Sequence, residues 1–236
     1  VRPHVELAKD CVDVGIYTNR VDEQRAFWGE RVGLPYEELL KVGGGVHQHR
    51  YGLRGSVLKL NASRNALPDD ASPFRSLTIG SSALGEALVD PDGTAVRLAQ
   101  DVGTIAIEWA TGDAARLGSM LAAGFGATNA GDERWCIGTT TLVLVEDDAD
   151  GDGDGERSRA RAGADGPLVG RGIRYLTVQV RDVKAAHAHL LDVGWSEGRA
   201  PIKLGEVAFI SFVRGPDGGW IEVSQRASLT GPLPGA

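Results

Sequence analysis

Pro216-Asp217-Gly218-Gly219-Trp220-Ile221-Glu222-Val223-Ser224-Gln225 reads as a tight turn feeding a β-strand. Proline presets φ, aspartate bonds nearby backbone, and glycine takes the positive φ that closes such a turn. Apolar and polar residues then alternate, as a half-buried strand requires. The same form stands earlier as Pro91-Asp92-Gly93-Thr94-Ala95-Val96-Arg97-Leu98-Ala99-Gln100. A turn and strand repeated in this detail mark internal duplication.

A second unit recurs ahead of these turns: a strand, a helix and a glycine stop. It is read at 12–18 with 21–32 and Gly33, at 104–109 with 113–123 and Gly124, and at 173–180 with 183–193 and Gly194. Each glycine precedes an apolar residue (Leu34, Phe125, Trp195), which suits a helix closed by a left-handed residue and a hydrophobic contact. Asp113 and Asp182 are the expected N-caps. A fainter copy, Phe74-Arg75-Ser76-Leu77-Thr78-Ile79, parallels Ile173-Arg174-Tyr175-Leu176-Thr177-Val178, with its helix reduced to 81–86. The spacing predicts an α+β chain of four βαβββ modules at 12–61, 74–100, 103–146 and 171–225. Taken as sequence neighbours, they pair as 1–100 (second module worn) and 101–236.

The chain has 236 residues, 42% of them hydrophobic, enough for one substantial core or two small ones. With 25 basic and 32 acidic side chains, its net charge of −7 offers no basic surface for nucleic acid. No apolar run approaches the roughly 20 residues of a bilayer span, and Arg2, Glu6, Lys9 and Asp10 argue against a signal peptide at the visible start. The expectation is a cytoplasmic protein with no nucleic-acid or membrane partner. Cys11 and Cys136 form no Cys-x-x-Cys pattern and are read as structural. The Asp/Gly-rich loop at 146–166 holds Asp148-x-Asp150-x-Asp152-Gly153, like the start of a calcium loop. Arg159 stands where that loop needs its bidentate glutamate, so a solvated loop is expected.

Strand–helix modules ending in Pro-Asp-Gly-x-x-Ile-Glu-x-x-Gln resemble the vicinal oxygen chelate superfamily: glyoxalase I, bleomycin-resistance proteins and extradiol dioxygenases. The resemblance implies that paired modules curl into open β-sheet cups, as monomer or homodimer. It also implies metal ligands on the first and last strands of a module, commonly histidine and glutamate. Glu222 falls on the glutamate position. The opening-histidine slots hold Asp13, Ser76, Ile105 and Tyr175; Arg97 stands opposite Glu222 in the turn repeat, and Lys59 takes the acidic slot of the first module. With neighbouring modules paired, the second cup would offer Ile105, Tyr175 and Glu222. The two-histidine, one-carboxylate set for non-haem iron is absent from that trio. This disfavours an extradiol dioxygenase. One divalent ion (Fe, Mn, Zn or Ni) or none remains open.

Glu222 and Tyr175 are the expected catalytic pair, a base and a hydrogen-bond donor on neighbouring strands. The chemistry expected is proton transfer, isomerisation or lyase action on an oxygenated, cyclic or aromatic metabolite. The alternative is a metal-free, ligand-sequestering protein of the bleomycin-resistance type. His47 and His49 share one face of a strand and, with Asp13, form a candidate metal set. A two-residue turn at Arg54-Gly55 would pair Arg50 with Lys59 and Gln48 with Asn61, turning both histidines away from the cup; a three-residue turn would reverse this. Gln48, Arg50, Lys59, Asn61 and Arg64 form a polar substrate-binding cluster, with Arg64 able to hold a carboxylate and Trp135 able to wall an apolar ligand. His187 and His189, two apart on a helix, cannot share one ion.

Overall fold

The structure, a computed structural model, describes residues 4–81, 85–100, 103–146 and 167–235. Its first module runs β1 (Leu7–Thr18), α1 (Val21–Ala26) with a π-helical continuation (Phe27–Arg31), β2 (Tyr36–Gly43), β3 (Val46–Leu53) and β4 (Ser56–Ser63). The second has β5 (Phe74–Gly80), β6 (Glu86–Val89) and β7 (Ala95–Ala99). The third runs β8 (Ile105–Thr111), α2 (Ala114–Phe125), β9 (Thr128–Gly131), β10 (Arg134–Ile137) and β11 (Thr140–Glu146). The fourth runs β12 (Gly172–Val180), α3 (Val183–Asp192), β13 (Ser196–Leu204), β14 (Ala208–Arg214) and β15 (Trp220–Arg226), before a short α4 (Ala227–Thr230).

The sheets pair the modules as first with fourth and second with third, not as first with second and third with fourth. An eight-stranded sheet, β13-β14-β15-β12-β1-β4-β3-β2, unites the first and fourth modules; a seven-stranded sheet, β6-β7-β5-β8-β11-β10-β9, unites the second and third. This corrects the expected pairing of 1–100 and 101–236. The opening strands are the joints: β1 lies antiparallel to β12 through Val14↔Leu176, and β5 antiparallel to β8 through Leu77↔Ile107. Each opening strand is apolar on its core face and needs a neighbour on both edges. Four such strands of similar pattern leave the choice of partner unspecified by sequence.

The repeated Pro-Asp-Gly turns perform one structural task twice. Asp217 accepts from the Gly112 N–H (3.2 Å) and from the Thr111 hydroxyl, pinning the fourth-module turn to the start of α2. Asp90 and Asp92 accept from the Gln24 amide (3.1 and 2.8 Å), pinning the second-module turn to α1. Gly218 and Gly93 supply the left-handed φ (77° and 91°). Gly219 answers a different need: a Cβ there would lie 2.2 Å from the Trp109 ring. Turns thus fasten the first module to the second and the third to the fourth, while sheets fasten the first to the fourth and the second to the third.

Val12, Val14, Ile16, Leu58, Leu176 and Ile221 of one sheet and Leu77, Ile79, Ile107 and Leu142 of the other belong to one core with Trp28, Trp109 and Trp195. Asp113 and Asp182 cap as expected, accepting from the N–H groups of Arg116 and Ala185. Two local expectations need revision. Gly124 lies inside α2, against Leu190 and Trp195, and Gly126 (φ 69°) is the left-handed terminus. The regular α-helix of the first module ends at Ala26. The short helix expected at 81–86 falls largely on 82–84, which lie outside the described residues, as do 147–166 with the calcium-like sequence.

Candidate functional site

Arg54 and Gly55 take φ of 50° and 89°, forming the two-residue turn, and β3 pairs with β4 as Arg50↔Lys59 and Gln48↔Asn61. Strand alternation then sends Gln48, Arg50, Lys59 and Asn61 to the concave face of the eight-stranded sheet. Asp13 of β1, Tyr175 and Thr177 of β12, and Glu222 of β15 share that face. The four ligand slots of this cup therefore hold Asp13, Lys59, Tyr175 and Glu222. Ile105 is not among them; it is buried in the core of the other sheet.

At the centre stands an ion pair between two of these positions. The Lys59 ammonium lies 2.8 Å from Glu222 Oε2 and donates to Thr177 Oγ1 at 2.7 Å; Thr177 donates in turn to Glu222 at 2.8 Å. The Lys59 side chain is 2% exposed and that of Glu222 11%, so the carboxylate is the member that solvent reaches. Lys59 also lies 5.7 Å from the centre of the Tyr175 ring. Asn61 donates to the Tyr175 hydroxyl oxygen (3.2 Å) and accepts from the Gln48 amide (2.9 Å). Burial, then the nearby Glu222 charge, pushes the Tyr175 phenol well above its usual range, so it keeps its proton. Gly15 makes room for the ring, since a Cβ there would lie 2.2 Å from it.

Asp13 anchors the neighbouring part of the cup. It accepts from Lys9 Nζ (2.7 Å), the Val57 N–H (3.1 Å) and Gln179 Nε2 (3.1 Å). Burial pushes its carboxyl up, but the Lys59 and Lys9 charges and the bonds from Lys9 and Gln179 outweigh it, leaving the pKa lowered. A lowered folded-state pKa stabilises the fold above the ordinary value of 3.8 and loses that contribution as pH falls through the folded value. Asp13→Asn is therefore expected to flatten the acid limb of a stability–pH curve from urea unfolding. An unchanged slope below that pH would contradict the assignment.

The proposed set of His47, His49 and Asp13 does not come together. His47 and His49 pair with Ala62 and Leu60 and face the helical side, while Asp13 faces the cup. The two-residue turn fixes this parity. No group of three or more His, Cys, Asp or Glu side chains is placed to hold a metal among the described residues. The four slots also fit a divalent ion poorly by chemistry: Lys59 carries its own positive charge onto Glu222, and the protonated Tyr175 phenol is a weak ligand.

Other expected contacts are resolved differently. Trp135 packs over Gly118 of α2, where a Cβ would lie 2.4 Å from its ring, and walls no cup. Arg64 is exposed, beyond the end of β4. Arg50 remains in the cup and donates to Glu38 (2.8 Å). His187 meets Glu197 and His189 meets the Ala123 carbonyl, on separate sides of α3. Cys11 and Cys136 are free thiols. Thr177, Gln179, Tyr17, Phe212 and Arg226 join the cup without having been expected there. Counting alternate residues from Tyr175 and Glu222 would have found Thr177, Gln179 and Arg226. On the other sheet, Ser76 donates to half-buried Glu108 at 3.3 Å and Arg97 is exposed, so no comparable cluster forms among the described residues.

No protein-family model and no curated protein sequence matches the chain. Solved structures do. Glyoxalase I from Zea mays superposes with a TM-score of 0.68 at 13% identity, over 91% of this chain and 92% of that one. A candidate dioxygenase from Bacillus subtilis gives 0.62 at 10% identity, over 96% and 86%. The CppA protein of Streptococcus pneumoniae gives 0.50 at 9%, over 93% and 98%. The likeness is one of architecture, and it establishes that this chain is built on the four-module vicinal oxygen chelate fold.

Proposed function

We propose that the cup of the first and fourth modules is the active site of a small-molecule enzyme that moves a proton on an oxygenated, cyclic or aromatic metabolite. Glu222 is the base and Tyr175 the hydrogen-bond donor, in isomerase or lyase chemistry. The observation that carries this reading is the buried Lys59–Glu222–Thr177 cluster beside a phenol that keeps its proton. Glu222 takes a proton from a carbon next to a carbonyl. The C–H electron pair passes into the carbonyl, whose oxygen becomes an enolate oxyanion. The Tyr175 hydroxyl and the Lys59 ammonium stabilise that charge in a water-poor site. Returning the proton to the same carbon from the opposite face completes an epimerisation; expelling a leaving group from the next carbon instead completes an elimination. No step is routed through a metal, because the residues of the cup do not fit one.

A sequestering protein is the second reading, favoured by one specific observation: Glu222 already accepts two hydrogen bonds, from Lys59 and Thr177. Deuterium exchange separates the two. With a panel of small carbonyl metabolites in heavy water, proton NMR is expected to show loss of one carbon-bound proton signal. Glu222→Gln, whose side-chain carbonyl still accepts from Lys59, should slow that loss by about 10²–10⁴-fold with the fold retained. Binding without any exchange would favour sequestration and overturn the enzymatic reading.

A further inference from the structure

The charges lining the cup do not balance internally. Lys9 is paired with Asp13, Lys59 with Glu222, and Arg50 with Glu38. Arg226, next but one after Ser224 and Glu222 on the same face of β15, makes no ion pair among the described residues. Its Nε is buried without a hydrogen-bond partner, as is the Nε of Arg50 and the hydroxyl of Ser224. Arg50 and Ser224 are 7% and 1% exposed, so solvent does not readily satisfy them. Buried donors in this state are costly to leave unpaired.

The two guanidiniums come from opposite walls. Arg50 sits beside Lys59 on β3, and Lys59 reaches across to Glu222 on β15. They also sense one another: burial, then the like charge of Arg50, lowers the Arg226 pKa, against the opposing carboxylates Glu222, Asp13 and Glu38.

We infer that Arg226, with Arg50 and the Ser224 hydroxyl, forms an oxyanion subsite, so that the ligand of this cup carries a carboxylate or a phosphate monoester. Planar guanidinium forks suit both groups, and bidentate pairing supplies orientation as well as attraction. A ligand anion completes the donor set and neutralises the unpaired charge. The inference deepens the reading of the cup as a ligand site, but needs no turnover.

The test follows the arginine side-chain Nε–H signals by NMR during titration with benzoate and, separately, inorganic phosphate. Sodium chloride at matched ionic strength is the control. Saturable shifts of the Arg226 and Arg50 signals are expected with at least one anion. Response to benzoate alone identifies a carboxylate ligand, and response to phosphate alone a phosphate ester. Arg226→Lys keeps the charge but loses the fork, and should weaken binding about tenfold. Shifts no larger than those with chloride would overturn the subsite. Anion binding together with an absence of deuterium exchange would sink the enzymatic reading while leaving the subsite intact.

Discussion

Replacing Lys59 with Met lowers the unfolding free energy by about 3–5 kcal/mol, because the change strands the Glu222 carboxylate inside the cup. The lysine is nearly fully buried, and its ammonium contacts both Glu222 and Thr177. Removing one member of such a pair leaves the desolvation cost of the other without its Coulombic return. Urea unfolding of wild type and variant at neutral pH measures the loss. A change below about 0.5 kcal/mol, the range typical of surface substitutions, would place the pair in water instead.

Gly15→Ala is expected to be the next most damaging small change. Its Cβ would overlap the Tyr175 ring at 2.2 Å, and the ring is held between Gly15, Lys59 and the Asn61 amide. The backbone of Gly15 does not take a left-handed φ, so the cost arises from the ring alone. Overpacking of this kind costs about 1–3 kcal/mol and forces the ring off its rotamer. The phenol then leaves Asn61. Near-ultraviolet circular dichroism and urea unfolding report the two effects; wild-type behaviour in both would show that the ring does not lie over β1.

Much of the architecture was legible because it is written twice. The turns at Pro91 and Pro216, the strand–helix units and the N-caps Asp113 and Asp182 all follow local rules of φ and capping, and local rules are visible in one sequence. Which modules share a sheet was not legible. The choice rests on the edge-to-edge fit of β1 with β12, and four opening strands of similar apolar pattern do not encode it locally. That single unknown decided the composition of the site. Tyr175 and Glu222 were anticipated in a cup with Ile105; the actual cup adds Asp13 and Lys59 from the first module. The histidines turned on a smaller unknown, the two-residue turn at Arg54-Gly55, whose positive φ at an arginine has no strong sequence signal. Gly126 displaced Gly124 as the end of α2 because Gly124 was needed inside the helix, where it lets Leu190 and Trp195 approach.

The claim on which the rest depends is that Lys59 and Glu222 face one another inside one cup made by the first and fourth modules. A double-mutant cycle tests it most directly, using Lys59→Met, Glu222→Met and the double variant, each measured by urea unfolding. The account predicts a coupling energy of about 2 kcal/mol or more, with the double variant less destabilised than the sum of the singles. Additivity within about 0.5 kcal/mol would mean that the two side chains do not meet, and would contradict the cup, its pairing of modules and the chemistry proposed for it.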